Sequence, residues 1–122
     1  MIPQTTLVLG ASTKVERYAY KAIQRLRAAG HPVVALGRQE GQVEDITIQT
    51  DPAKVTTAVH TVTLYLSPQH QEGYREWLLA LRPERVLFNP GTENPSFSKV
   101  LRENGIATEN ACTLVLLSTN QY

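Results

Sequence analysis

The side chains best suited to chemistry lie between Gly10 and Arg17, where small, hydroxyl and basic residues follow an apolar run. Gly10 allows a sharp turn and a close approach of the backbone to a ligand, while Ser12 offers a hydroxyl that can bind a ligand or cap a helix. The first amide groups of a helix lack partners within the helix and lie at the positive end of its dipole. With Lys14 nearby, this stretch predicts an anion-binding turn, with a plain strand-to-helix turn as the alternative.

Three later loops have the same character, because each follows a predicted strand and contains small or polar residues. In a parallel sheet such loops gather at the carboxyl ends of the strands, where ligands bind. Each loop taken separately could also be an ordinary surface turn. The candidate ligand-binding residues of the four loops are Gly10, Ala11, Ser12, Thr13, Lys14, Arg17, Tyr18, Gly37, Arg38, Ser67, Pro68, Asn89, Pro90, Gly91 and Asn94.

Arg38 indicates which ligand the site would take, because NAD sites usually have an acidic residue at the end of the second strand. An arginine there suits a phosphate on the ribose, as in NADP or the 3′-phosphate of coenzyme A, and its plane can stack on adenine. Glu40 and Asp45 are nearby in the sequence, so an acidic residue that binds the ribose hydroxyls is an alternative. A solvated loop charge is the alternative for Arg38, and Tyr18 either packs or lines the ligand loop.

The sequence contains no recognisable catalytic or metal-binding set. His31, His60 and His70 lack metal-ligand spacing, and the single cysteine, Cys112, excludes an internal disulfide. We interpret His70 as an exposed helix residue, with a ligand contact as the alternative. Glu93 is an acid or base beside the ligand or, as we favour, a carboxylate that caps backbone amides. Cys112 is a thiol facing the ligand or, as we favour, a buried small residue.

Length and charge limit the function further. A chain of 122 residues predicts a single domain, residues 1–122, with room for one site. The net charge of +1 gives no field that would attract nucleic acid or an anionic membrane. Since there is neither an N-terminal signal pattern nor an apolar run of roughly 20 residues, we expect a cytoplasmic protein.

Apolar periodicity predicts strands that alternate with helices. The predicted strands are residues 5–9, 33–36, 46–50, 59–66, 85–88 and 106–109, and the predicted helices are residues 16–29, 52–57, 68–81, a segment capped by Ser96 through Glu103, and a closing turn at 113–117. This order predicts right-handed crossovers and a mainly parallel sheet with helices on both faces. The expected fold is a single Rossmann-like α/β domain.

Taken as an ordered set, five segments of the chain resemble the small bacterial coenzyme A-binding proteins, which are also similar to the nucleotide-binding domain of the succinyl-CoA synthetase α chain. The segments are 10–12 with 17–22, 30–33, 63–68, 88–94, and 105–106 with a late Cys112. The resemblance implies that residues 10–13 bind the pyrophosphate, that the end of the second strand meets the adenosine side, and that the Ser67 and Asn89–Asn94 loops line the rest of the groove. Many relatives have Pro-Val-Asn-Pro where this chain has Ala35-Leu-Gly-Arg38, so adenosine recognition is expected to differ.

We therefore expect noncovalent binding of coenzyme A or an acyl-CoA by a stand-alone module that senses, carries or regulates, without chemistry of its own. The alternative is an NADP-dependent or CoA-thioester enzyme, as one subunit of a larger assembly. A third hypothesis is an interaction domain whose nucleotide groove is empty. The expected partner is a small nucleotide ligand rather than nucleic acid or membrane, and the apolar C-terminal run would allow a homodimer or a protein partner.

Overall fold

The computed structural model describes residues 2–122, which form a seven-stranded sheet flanked by helices. The strands are β1 (Thr6–Ala11), β2 (Val33–Gly37), β3 (Gly41–Val43), β4 (Ile46–Gln49), β5 (Thr61–Leu64), β6 (Arg85–Phe88) and β7 (Ala107–Asn110), and the helices are α1 (Tyr18–Ala28), α2 (Pro68–Gln71), α3 (Arg75–Leu81), α4 (Pro95–Glu103) and α5 (Thr113–Ser118). The strand order is β3-β4-β2-β1-β5-β6-β7, and every neighbouring pair is parallel except β3 with β4. This arrangement confirms the predicted Rossmann-like α/β fold.

The central strands are apolar on both faces because helices cover both sides of the sheet. In β1, Leu7 and Leu9 belong to the core cluster that also contains Leu78 of α3 and Phe97 of α4. Val8, between them, belongs to the opposite cluster, which is packed against α1. Side chains in a strand alternate between faces, so one short apolar run fills two cores.

The order of the strands reverses beside β1, which has β2 on one side and β5 on the other. The chain leaves β1 toward β2 and β4, and then crosses back to add β5, β6 and β7 on the other side. Loops on the two sides of this reversal diverge at the carboxyl ends of the strands and leave a crevice there. The fold thus puts the predicted loops where a ligand site is expected.

Two predicted helices differ from the structure. The long helix expected over residues 68–81 is interrupted, because a 3-10 turn at Glu72–Tyr74 separates α2 from α3. Gly73 lies in that turn and is a poor helix former. The helix expected over residues 52–57 is a single 3-10 turn, Pro52–Lys54, in which Asp51 accepts a hydrogen bond from the amide of Ala53.

A short hairpin was missed in the polar stretch before residue 50. Strand β3 has three residues and pairs antiparallel with β4 at the edge of the sheet, and Glu44 in the connection has a positive φ of 54°. Only Val43 of this strand is buried, so the sequence carries too few apolar residues to reveal it. Strand β5 is also shorter than the predicted 59–66, whereas β6 has the predicted bounds.

The remaining differences concern helix ends. Asn94, rather than Ser96, caps α4: its side-chain oxygen accepts a hydrogen bond from the amide of Phe97 at 3.2 Å. The hydroxyl of Ser96 donates to the same oxygen at 3.0 Å. The closing helix is confirmed as α5.

Among the helices of residues 2–122, none has the length and apolar character needed to cross a bilayer.

The close approach of β1 and β2 gives a test of the fold. A Cβ atom at Gly37 would overlap the carbonyl oxygen of Ala11, so we expect Gly37→Ala to lower the free energy of unfolding by about 2 kcal/mol. The matched control is Gly73→Ala, because nothing lies within 4 Å of a Cβ there. Urea unfolding should show the control at or above wild-type stability. Equal stabilities of the two variants would contradict this packing.

Candidate functional site at the carboxyl edge of the sheet

Four of the predicted loops meet at one edge of the sheet. Leu9 of β1 is level with Leu36 of β2 and with Leu64 of β5, and Leu64 is level with Phe88 of β6. The loops that follow these strands therefore begin side by side. The structure brings together the segments that the sequence predicted to be neighbours.

The end of β1 is shaped by a bulge at Gly10. The register between β1 and β2 shifts between Leu9 and Ala11. Gly10 has a φ of +97°, a backbone conformation that residues with a side chain rarely adopt. A Cβ at Gly10 would lie 3.0 Å from the carbonyl carbon of Tyr65, in the segment after β5. Gly10 therefore lets two backbone segments pack together, and a substitution there would alter the fold as well as the approach of a ligand.

The loop between β1 and α1 is longer and more open than the sequence suggested. Helix α1 begins at Tyr18 rather than residue 16. The hydroxyl of Ser12 accepts a hydrogen bond from the amide of Lys14 at 3.1 Å, so Ser12 shapes the loop and does not cap the helix. Thr13, Lys14 and Arg17 are exposed. Tyr18 is 67% exposed, so the interpretation of Tyr18 as a packed residue is wrong.

A small cavity lies in the crevice where the strand order reverses. A larger cavity of about 270 Å³, lined by α4 and β7, lies apart from this crevice. The crevice cavity measures about 110 Å³ and is lined by Gly10, Gly37, Arg38, Leu66, His70 and Tyr74. Pockets for whole small molecules measure about 300–1,000 Å³, so this one can hold a single group of a larger ligand. The rest of such a ligand would lie along the open surface.

Three residues of this cavity were not among the predicted site residues, and His70 is the chemically important one. The sequence interpretation placed His70 on an exposed helix face, and it is exposed, but it also lines the cavity together with Arg38. Its Nδ1 lies 2.9 Å from the hydroxyl of Ser67. The signal available in the sequence was its position three residues after the polar end of a strand. Ser67 and Pro68 themselves are half-buried beside the cavity rather than in its lining.

The loop after β6 is held by the buried side chain of Asn89. Its amide nitrogen donates to the hydroxyl of Thr63 at 2.7 Å and to the carbonyl of Leu64 at 2.9 Å. Its amide oxygen accepts from the backbone N–H of Thr113 at 2.8 Å. The backbone carbonyl of Asn89 accepts from both the amide and the hydroxyl of Thr92. All the polar atoms of this side chain are therefore used inside the protein.

A second buried amide pair joins this loop to the loop after β5. Gln71 donates to the carbonyls of Leu66 at 2.9 Å and Thr92 at 2.8 Å, and it accepts from Asn94 at 2.9 Å. Asn89 and Asn94 were predicted as ligand-binding side chains, but their hydrogen bonds give them the role of positioning the loops. They are 2% and 7% exposed.

The exposed tip of the same loop contains Pro90 and Gly91. Gly91 has a φ of +92° with open space around it, so it serves the turn rather than a close contact. The carboxylate of Glu93 accepts a hydrogen bond from the amide of Gly91 at 2.8 Å. This confirms the interpretation of Glu93 as a carboxylate that caps a backbone amide.

In the segment after β5, the hydroxyl of Tyr65 is buried without a hydrogen-bond partner. The neighbouring hydroxyls of Thr63 and Thr113 bond to each other at 2.8 Å. Burial raises the pKa of Tyr65 to about 12, an effect that these two hydroxyls partly oppose.

Cys112 precedes α5 and is half-buried, whereas the sequence favoured a fully buried residue. No cluster of three or more potential metal ligands occurs in the described part of the chain.

The unpaired hydroxyl predicts a gain in stability on its removal. We expect Tyr65→Phe to raise the free energy of unfolding by about 1 kcal/mol at pH 8, because a buried unpaired polar group is lost. The folded pKa of about 12 exceeds the unfolded value of about 10, so wild-type stability should fall as the pH rises from about 10 to about 12. Tyr65→Phe should lose less stability over the same pH range, because it has no hydroxyl to ionise at this position.

Urea unfolding at pH 8 and pH 11 measures both effects. Tyr20→Phe is the control, since Tyr20 is also half-buried against the same core cluster but its hydroxyl is not a buried unpaired group. A Tyr65→Phe protein less stable than wild type at pH 8 would show that the hydroxyl has a partner.

Comparison with known proteins identifies the family of the chain. The family model described as "CoA binding domain" matches residues 4–118. The crystal structure of an uncharacterized protein is similar at 43% identity and a TM-score of 0.96, with 100% of both chains covered. A protein from Thermus thermophilus is 24% identical, with a TM-score of 0.88 over 98% of this chain and 91% of that chain.

More distant structures share the fold. The acetyl-coenzyme A synthetase of Ca. Korarchaeum cryptofilum is 12% identical, with a TM-score of 0.74 over 88% of this chain and 25% of its own. No functionally curated protein matched the chain significantly. Because the family model covers nearly the whole length, this chain belongs to the family of CoA binding domains.

Proposed function

We propose that this protein binds coenzyme A or an acyl-CoA noncovalently and acts as a stand-alone module that senses, carries or regulates. The observation that carries the proposal is the cavity at the strand reversal, where Gly10 and Gly37 meet the cation of Arg38 in a chain of this family. A cavity of about 110 Å³ that opens onto a surface can hold one compact anionic group of a longer ligand. In coenzyme A the 3′-phosphate is such a group, and the rest of the molecule extends from it.

The pyrophosphate would lie over residues 10–13, as the family resemblance implies. Gly10 turns the chain at the end of β1 with a φ of +97°, and it is followed by the half-buried Ser12 and the exposed Thr13. Lys14 and Arg17 extend from the same loop into solvent and add two positive charges. Oxygen atoms of phosphate bind backbone N–H groups and basic side chains well.

Arg38 would meet the adenosine end. It follows β2, is exposed, and makes no hydrogen bond or ion pair with another side chain among the residues that the structure describes. A guanidinium can bind a phosphate through two parallel hydrogen bonds. The loop around Pro90 and Gly91 would border the remaining part of the ligand, held in place by the buried Asn89.

The second candidate is an enzyme that uses NADP or acts on a CoA thioester as part of a larger assembly. The observation in its favour is again Arg38, which suits the ribose phosphate of NADP as well as that of coenzyme A. The first candidate is favoured by the family. Glu93, the candidate acid or base for such an enzyme, already accepts a hydrogen bond from the amide of Gly91.

We further propose a cytoplasmic location, since the free thiol of Cys112 suits a reducing compartment. Helix α5 would provide a contact with a second copy or another protein, because Val115 on it is 54% exposed. The partner that we propose for the site itself is a small nucleotide ligand.

A thermal-shift titration with coenzyme A, dephospho-coenzyme A, NADP and NAD tests the proposal. Ligand at 100 times its Kd stabilises the folded state by about 2.7 kcal/mol, so coenzyme A should raise the melting temperature by roughly 10 °C. A preference for NADP would favour the enzyme. No shift with any of the four ligands would contradict both candidates and favour an interaction domain.

Substitution of Arg38 tests the adenosine end. We expect Arg38→Ala to weaken coenzyme A about tenfold while leaving dephospho-coenzyme A nearly unchanged, because the guanidinium meets the 3′-phosphate. Calorimetric titration measures both Kd values. Arg25→Ala removes the same charge from an exposed position on α1 away from the cavity and should change neither. An equal loss for both ligands would reject this role.

A further inference from the structure

Two basic side chains reach the small cavity from opposite sides of β1. Arg38 follows β2, and His70 belongs to α2, which follows β5. Because β1 lies between β2 and β5 in the sheet, the two side chains approach the end of β1 from its two flanks. They are separated by 32 positions in the sequence, so only the fold makes them neighbours of one cavity.

The rest of the lining suits an anion between these two groups. Gly10 and Gly37 present backbone without side chains, while Leu66 and Tyr74 form apolar walls. No carboxylate belongs to the lining that the structure describes. An anion here would meet two donors, no opposing negative charge and limited space.

The hydrogen bond with Ser67 orients the imidazole of His70. The Ser67 hydroxyl lies 2.9 Å from Nδ1 and can donate to it. In that arrangement the neutral ring carries its hydrogen on Nε2, and a protonated ring also has a hydrogen there. Nε2 makes no hydrogen bond within the described residues, so it is available as a donor to a ligand.

We propose that His70, together with Arg38, binds the phosphate monoester at the adenosine end of the ligand, and that Ser67 is a positioning residue for His70. The inference rests on the proposed function, since that phosphate is the 3′-phosphate of coenzyme A. It adds a residue of α2 to a subsite that the family resemblance placed at the end of β2 alone. The ligand then joins the two halves of the sheet across the strand reversal.

Calorimetric titration with two matched pairs of ligands tests this subsite. The pairs are coenzyme A with dephospho-coenzyme A, and adenosine 3′,5′-bisphosphate with AMP. In each pair, the Kd of the ligand without the 3′-phosphate is divided by the Kd of the ligand with it. This ratio measures the contribution of the 3′-phosphate to binding. We expect His70→Ala to reduce that ratio about tenfold in both pairs, as expected for the loss of a hydrogen bond to a charged group.

The control is Gln69→Ala, because Gln69 is exposed on the same helix and does not line the cavity. It should leave both ratios at the wild-type value. His70 is exposed, so its removal should not prevent folding; an unchanged melting temperature without ligand checks this. His70→Gln, which retains an N–H donor, should recover part of the ratio.

Ser67 requires a readout that a merely structural role would not change. We expect Ser67→Ala to reduce the ratio about threefold in the wild-type background and to have no further effect in the His70→Ala background. Ser67→Thr, which keeps the hydroxyl, should restore the ratio. An equal effect of Ser67→Ala in both backgrounds would overturn its positioning role.

The outcomes separate this inference from the proposed function. If wild-type protein does not bind coenzyme A, the proposed function fails and the inference fails with it. If coenzyme A binds and His70→Ala leaves both ratios unchanged, the inference alone is overturned. If His70→Ala weakens both members of each pair equally, His70 contacts a group other than the 3′-phosphate, which also overturns the inference.

Discussion

The arrangement of the site depends on one buried amide, that of Asn89. Its three hydrogen bonds connect the end of β6 with Thr63, with the carbonyl of Leu64 and with the first amide of α5 at Thr113. A buried polar group left without a partner costs about 1–3 kcal/mol, so these groups keep one another in place. Asn89 therefore fixes the ends of β5 and β6 and the start of α5 relative to one another.

The same constraint extends to the residues that line the cavity. The side chain of Gln71 connects the carbonyls of Leu66 and Thr92, and Asn94 connects Gln71 to the start of α4. Because Gln71 is the residue after His70, this buried network also sets the position of α2. Asn89 and Asn94, which the sequence predicted as ligand contacts, thus hold the loops in position. The exposed side chains on these loops remain available to a ligand.

Sequence patterns revealed most of the fold because the central strands are buried on both faces. The run Arg85–Phe88 is apolar after its first residue and has the bounds expected of β6. Strand β3 escaped because only Val43 of its three residues is buried. In the site, residue type could not show whether the amide of Asn89 points toward a ligand or inward. The place of His70 depends on three segments that only the folded sheet brings together.

The start of α1 bears on the physical basis of the proposed anion binding. The sequence predicted a helix from residue 16, with the positive end of its dipole acting on a phosphate held by the turn after Gly10. Helix α1 begins at Tyr18, and the effect of a helix dipole falls off within the first turn. Residues 10–13 precede Tyr18 by at least five positions along the chain. The proposed pyrophosphate contact would therefore use the backbone of a loop shaped by Gly10 and Ser12, and cations whose exposure leaves them open to screening by salt.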